Sequence, residues 1–436
     1  MILAFDRLRC ALRAAARPSP TWRAAFAAAM AGRAFHALDR GDVAAAEARS
    51  LYALEIEPTQ GDAIASLAAA LDRRGNAERA TELFDRAAAS GDLGARALAG
   101  LADRAFARGD LAGAEQLCAR ALERDGEQPL AHLTRGRVLA SRGDFGAAVE
   151  ALARGARGTN DAMAWTQLGV VQRQVGRPAD ARASFERAIA RDPGLTEAHI
   201  SLGELFASAG MVDRARASLA EALRSDPQSV RARTRLAGVA MQGGAADEAE
   251  RLLRETRDIA PGDVDALVLL GDLQRGAGRL DEALDSYRRA LAIDPIDVRA
   301  HLGRAHALLE RGDVAAGREE YEWRLRNPSL ERLLSSRTPV WRGESLEGRS
   351  IFVQFEPGIE ENSEALRLLP ALVAMKARVT VEAVPPLEAP LASIPGVAIV
   401  PAGSSEAQRV RDASDFRVPI LSLPHRLGAA GSARSA

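Results

Sequence analysis

The sequence predicts a mainly α protein: an α-solenoid of about nine helix–turn–helix repeats, followed by a small α/β, Rossmann-like half-domain. Three observations carry that prediction. Glycine recurs at 41, 75, 109, 143, 176, 210, 244, 278 and 312, in steps of 34 residues except for one of 33 between 143 and 176. A small residue follows five places after each glycine, from Ala46 and Ala80 to Ala283 and Gly317. After residue 350 the composition shifts to β-branched runs separated by short apolar helices. A fixed period of this length marks a repeat architecture, and alternating strands and helices mark a parallel sheet.

Residues 1–26 are read as an N-terminal capping helix region, and the solenoid follows over 27–331. Each unit holds two apolar stripes at helical spacing, as in WTQLGVVQ (165–172) and ADARASFERAIA (179–190). The glycine ends the first helix, where a left-handed residue is needed. The small residue lets the two helices approach closely. Proline at 58, 193, 227, 261 and 295 stops the second helix. A single pair cannot bury its apolar faces, and stacking does so. Unit by unit, AWTQLGVVQRQVGRPADARASFERAIARDP (164–193) resembles the tetratricopeptide repeat nearly position for position. That resemblance implies a concave groove, lined by the first helices, that holds an extended peptide or a protein partner.

Two units depart from the pattern. The fourth carries Gly155 and Gly158 in its second helix and lacks the proline, so a kink or a mobile joint is expected there. The ninth has Gly317, Arg324 and Ser329 where alanine, alanine and proline are expected, so it should lead into the next domain.

The candidate groove positions are Thr166, Gln167, Val170 and Gln174, then Ile200, Ser201, Glu204 and Ser208. They continue through Thr234, Arg235 and Gln242 to Val268, Leu269, Asp272 and Arg275, with His306 in the last unit. The lining is mixed in charge, with no asparagine ladder for generic backbone clamping, so no ligand class follows from it. His132, His199 and His301 share the register position of Trp165, and packing is the expected role. No metal site and no cofactor are expected.

The chain has 436 residues, 47% hydrophobic and 27% charged, with 58 basic and 59 acidic residues and a net charge of −1. No global charge steers it toward nucleic acid or an anionic membrane. Lys376 is the single lysine, a pattern read as coding bias. Cys10 and Cys118 match no metal or redox spacing, and a reduced, cytoplasmic setting is expected. AAFAAAM (24–30) is too short for a membrane span and fits a repeat helix better than a signal peptide.

Residues 332–350 are read as a linker, 351–427 as the Rossmann-like remnant and 428–436 as a disordered tail. Strands are expected at 351–355, 378–384, 397–401 and, as a fourth, 417–423. Helices are expected at 363–377, bent near Pro370, and at 386–394. The stretches YEWRLR, PVWRGESLEGRSIFV, PGIEENSEALRLLP, ARVTVEAVPPLEAPLASIPGVAIV and DFRVPILSLP resemble bacterial proteins that join a tetratricopeptide array to a heptosyltransferase-like glycosyltransferase domain. That family has a turn reading roughly Gly-Leu-Gly-Asp after the first strand. Gly358 and Ile359 match its first half, Glu360 replaces the second glycine and Glu361 stands at the aspartate. Three acids, Glu356, Glu360 and Glu361, would repel a diphosphate. The family holds its sugar nucleotide mainly in a second, C-terminal domain, and the sequence runs only to residue 436. The resemblance therefore implies a degenerate domain without catalysis, in which a sugar nucleotide is not expected and Glu361 is the base if activity survives. The leading reading is a non-enzymatic scaffold for a protein or peptide. The rivals are the acceptor-recognising part of a split protein O-glycosyltransferase and a self-associating solenoid.

Overall fold

The computed structural model describes residues 19–90, 93–357 and 365–433. The chain divides into two compact bodies, Met1–Ala232 and Arg233–Ala436.

Among the described residues the first body holds six helix pairs. They are Pro20–Asp39 with Val43–Ile56, Gly61–Arg73 with Ala77–Ala88, Ala95–Ala107 with Leu111–Arg124, Pro129–Ser141 with Phe145–Arg157, Ala162–Gln174 with Pro178–Arg191, and Thr196–Ser208 with Val212–Ser225. The opening helix contains the AAFAAAM run, and its Ala27, Met30, Ala31 and Ala34 are buried, as a repeat helix requires. The periodic glycines all have positive φ, for example 76° at Gly41 and 74° at Gly176. Asp42, Asn76, Asp110 and Asp144 follow them and cap the next helix, each side chain accepting from the N–H three residues on.

In the fourth, fifth and sixth pairs, a glycine of one helix receives a large side chain of the other. A Cβ added at Gly136, Gly169 or Gly203 would lie 2.6, 2.5 or 2.7 Å from Leu152, Phe185 or Leu219. In the fourth pair the contact is reciprocal: Gly155 faces Leu133, where a Cβ would lie at 2.6 Å. The expected kink is therefore absent from Phe145–Arg157, which runs unbroken to a cap at Gly158. The close approach of Leu133 explains the glycine.

The second body contains the remaining residues of Val230–Gln242 with Ala246–Ile259, then Val264–Gly276 with Leu280–Ile293 and Val298–Arg311 with Val314–Tyr321. Tyr287 is a shared wedge, because a Cβ at Gly271 would lie 2.6 Å from its ring. Gly303 of the following unit offers the same ring an equally close face. The last helix is only 8 residues long and passes into a 3-10 turn, Glu322–Arg326. A short helix, Pro328–Leu333, follows.

Four strands then form a parallel sheet: β1 (Ser350–Gln354), β2 (Arg378–Ala383), β3 (Val397–Pro401) and β4 (Phe416–Pro419), in the order β3-β2-β1-β4. Ile351 pairs with Val379 on one side and Phe416 on the other, so β1 is central. Its Ile351, Phe352 and Val353 are fully buried. Leu366–Leu368 and Leu369–Ala374 replace the long helix expected at 363–377, with Pro370 in the first turn of the second piece, where its missing N–H is not needed. Pro385–Ala392 matches the second expected helix.

Three boundaries need correction. Residues 332–350 are not a free linker, because the Trp341 N–H donates to the Arg417 carbonyl at 2.8 Å beside β4. Trp341 and Leu346 are fully buried in the sheet core. The expected fourth strand ends at Pro419, and a 3-10 turn leads into the helix Leu423–Ala433. That helix occupies most of the stretch expected to be a disordered tail. A helix at Ser405–Ala413, capped by Ser404, was not expected, since only Ala407 on it is buried and its pattern is polar.

Arg324 joins the last repeat to the sheet. Its guanidinium donates from Nε and Nη2 to Glu356, both at 2.9 Å, and from Nη2 to the Ser422 hydroxyl at 2.9 Å. Nη1 reaches Glu322 at 2.9 Å and the Tyr321 carbonyl at 3.2 Å. Glu356 also accepts from the Leu421 N–H at 2.9 Å, and the two side chains are 7% and 1% exposed. The ninth unit's departure from alanine thus makes it the transition that the sequence implied. Removing one partner leaves the other charged and buried. Arg324→Met should destabilise the second body by about 3–5 kcal/mol in denaturant unfolding, and adding Glu356→Gln should recover part of that loss.

Candidate functional site

The candidate groove positions lie on the first helix of each pair, and they divide sharply. Thr166, Ile200, Ser201, Thr234 and Val268 are all buried, so these five candidates belong to the core and not to a groove. The reason is geometric: each first helix packs on its own second helix and on neighbouring units, which leaves a narrow open stripe. Among the described residues the Ser201 hydroxyl has no hydrogen-bond partner.

In the first body, Gln167 and Val170 are half-buried and Gln174 and Ser208 are exposed. Glu204 is held between Arg173 at 3.1 Å and Arg231 at 3.0 Å. In the second body, Arg235 and Arg299 both bind Asp265, at 3.3 and 2.6 Å. Arg275 pairs with Glu310 at 2.6 Å. Asp272 accepts from the Tyr287 hydroxyl at 2.7 Å, and burial pushes its carboxyl above the usual range. Each pair except the Tyr287 bond bridges consecutive first helices. The arrangement is a ladder of guanidinium–carboxylate pairs whose charged heads stand over apolar stems.

His132, His199 and His301 are packing residues. Their Nε2–H groups donate to the carbonyls of Gly126, Pro193 and Pro295, at 2.9, 2.9 and 3.0 Å, closing the turn before each unit. His301 also stacks on Trp323 with ring centroids 3.5 Å apart. His306 lies 34 residues beyond Asp272 and is exposed beside Tyr321, with ring centroids 5.7 Å apart.

The sequence did not point to the cleft that His306 opens. Within the second body, a cavity of about 550 Å³ lies between the ninth unit and the helical segments that follow β1 and β4. His306, Leu309, Arg318 and Tyr321 form one wall, and Arg367, Leu368, Leu421 and His425 contribute to the other. Sheet order places the chain reversal between β1 and β4, and parallel sheets bind ligands in the crevice at such a switch point. Arg318 donates to the Pro424 carbonyl at 3.3 Å, and Arg367 is exposed. The wall therefore has positive character.

Gly358, Glu360 and Glu361 lie outside the described residues. Glu356 does not face a ligand as the reading of a three-acid turn required, because Arg324 neutralises it inside the domain. Among the described residues no group of three or more His, Cys, Asp or Glu is placed to hold a metal ion. No described helix is long and apolar enough to cross a membrane. Burial pushes the Cys118 thiol up to about 12.

Desolvation, followed by the Arg275 guanidinium, lowers the His306 pKa below 6.5. Glu310 and Asp272 oppose the shift and do not overcome it. A lowered value means that protonation works against the folded state, so this group's contribution is present above pH 6.5 and is lost on acidification. NMR titration should give His306 a midpoint below 6.5, and Arg275→Ala should move it upward.

Profiles described as tetratricopeptide repeat match residues 65–129, 103–164 and 133–196, and also 172–228 and 206–273. A profile described as TPR repeat matches 271–312. No curated protein matches. Among solved structures, the APC/C hetero-tetramer Cut9–Hcn1 aligns at 15% identity and a TM-score of 0.51 over 61% of this chain. The aligned part is 52% of that chain, about half its length. A tetratricopeptide repeat protein from Parabacteroides merdae aligns at 17% identity and a TM-score of 0.46, over 56% of this chain and 94% of that one. YrrB, a TPR protein described as having an unusual peptide-binding site, aligns at 23% identity and a TM-score of 0.36, over 42% and 95%. The matched segments run without a gap from residue 65 to 312, and with the repeated helix pairs they show that this chain belongs to the tetratricopeptide repeat family.

Proposed function

We propose that this protein is a binding scaffold that holds a protein or peptide along its first helices, and that its α/β domain is a non-catalytic, glycosyltransferase-like remnant. The observation that carries the reading is the guanidinium–carboxylate ladder. Arg235, Asp265, Arg275 and Glu310 fix a row of alternating charge on consecutive first helices, beside Asp272 and exposed His306. Such a row can select an extended segment by charge register, because like charges placed opposite one another are penalised. Buried Glu356 supports the second half of the reading: the one acid of the turn within the described residues is committed to structure.

A peptide array probed with the full-length chain tests this. Peptides that bind should lose about tenfold in affinity on Arg235→Glu or Arg275→Glu, measured by fluorescence anisotropy. Equal affinity in both variants would remove the ladder from recognition.

The cleft of about 550 Å³ favours a second reading, in which the chain is the acceptor-recognising part of a protein O-glycosyltransferase. Under it Glu361 is the base and Arg318 and Arg367 face a donor diphosphate. Calorimetric titration with a panel of nucleoside-diphosphate sugars separates the two. The scaffold reading expects no heat with any donor. Saturable heat that disappears in both Glu361→Ala and Arg367→Ala would put the enzymatic reading first.

A further inference from the structure

Trp165 differs from its register equivalents in a way that exposes a second surface. His132, His199 and His301 each satisfy a ring N–H with the carbonyl six residues earlier. Trp165 is 5% exposed, and among the described residues its Nε1–H has no hydrogen-bond partner. The single shortened step of the repeat, between Gly143 and Gly176, falls in the turn just before it. That turn lacks the proline, and its Thr159 is the counterpart of Gly126 and Pro193, whose carbonyls accept from the histidines. A buried donor without a partner costs about 1–3 kcal/mol, and an acceptor that reached the indole would relieve that cost.

The surroundings say what kind of acceptor. A cleft of about 460 Å³ runs between the second helices of the fourth and fifth units, Phe145–Arg157 and Pro178–Arg191, with Trp165 in its lining. Arg154, Arg157 and Arg187 line it, all exposed, and the described residues give none of them a carboxylate partner. This contrasts with the first-helix ladder, where the arginines are paired. Arg187 and Arg191 both lie over the Trp165 ring at 4.9 Å, which fixes positive charge around the indole. Two carboxylates share the cleft, Glu150 and Asp180, and Asp180 is already bound to Arg177 at 2.7 Å. Val149, Ala153 and Leu168 add an apolar floor.

We propose that this cleft docks a short acidic protein segment, in which an apolar side chain sits on the floor between Asp or Glu residues. One carboxylate accepts from Trp165 Nε1–H, and its neighbours engage Arg154, Arg157 and Arg187. A nucleic acid fits less well, because Glu150 and Asp180 lie among the arginines and the whole chain carries a net charge of −1. This surface is separate from the ladder, so it stands or falls independently of peptide binding there.

The test uses the full-length chain and an amidated, fluorescein-labelled peptide, Glu-Asp-Leu-Glu-Asp, with Gln-Asn-Leu-Gln-Asn as the neutral control, read by anisotropy at low salt. Saturable binding of the acidic peptide alone is expected. It should weaken about tenfold or more in Arg154→Glu/Arg157→Glu and about tenfold in Trp165→Phe, which keeps an aromatic ring, though a smaller one, and removes the donor. Arg182→Glu, on Pro178–Arg191 and outside the cleft lining, should bind as wild type, and circular dichroism should show all variants folded. Absence of saturable binding, equal binding of the neutral peptide, or insensitivity to both cleft variants would each overturn the proposal. So would a single-stranded oligonucleotide that binds more tightly than the acidic peptide and depends on the same arginines.

Discussion

A large side chain seated on a glycine of the facing helix is the contact on which the rest of this molecule depends. Phe185 on Gly169, Leu219 on Gly203 and Tyr287 on Gly271 bring their pairs of helices together at one fixed point, and Ala34, Ala68, Ala102 and Ala237 hold the same register in other units. A longer side chain in place of the glycine would force the helices apart, because close-packed interiors do not absorb an added group. Once that distance is fixed, the left-handed turn glycine fixes the direction, and the next first helix can only lie alongside. The open stripe of the first helices, and the arginine ladder on it, are consequences of this spacing. Tyr287 extends the rule across a unit boundary by meeting Gly303 as well, and its hydroxyl restrains Asp272 at the edge of the ladder.

Much of this was legible in the chain. The turn glycines announce themselves because few residues accept positive φ, and the observed values at all nine positions follow. The four strands were legible as β-branched runs, and Arg324 was visible as a charge where alanine belongs. The groove was harder to read. Periodicity places Ser201 and Gln167 on the same kind of helix face, yet one is buried and the other half-buried, because the second neighbour of each helix is not written in its own spacing. Residues 332–350 read as a linker for want of a pattern, while pairing with β4 buries Trp341. The helix Leu423–Ala433 is rich in glycine, alanine and serine, which gives no stripe to detect. The cleft beside His306 is built from three separated segments and leaves no local signal at all.

Repeat arrays have a known weakness: a terminal unit has one neighbour instead of two, so its helices open first. Here the C-terminal unit is not an end in that sense. Its shortened last helix passes directly into the residue that Glu356 grips, and Arg426 adds a second tie to Glu322 at 2.9 Å. The cost of opening the ninth unit therefore includes exposing an ion pair beneath the sheet. Fraying at this terminus becomes cooperative with loss of the whole α/β domain, and the domain acts as a latch whose release is all-or-none.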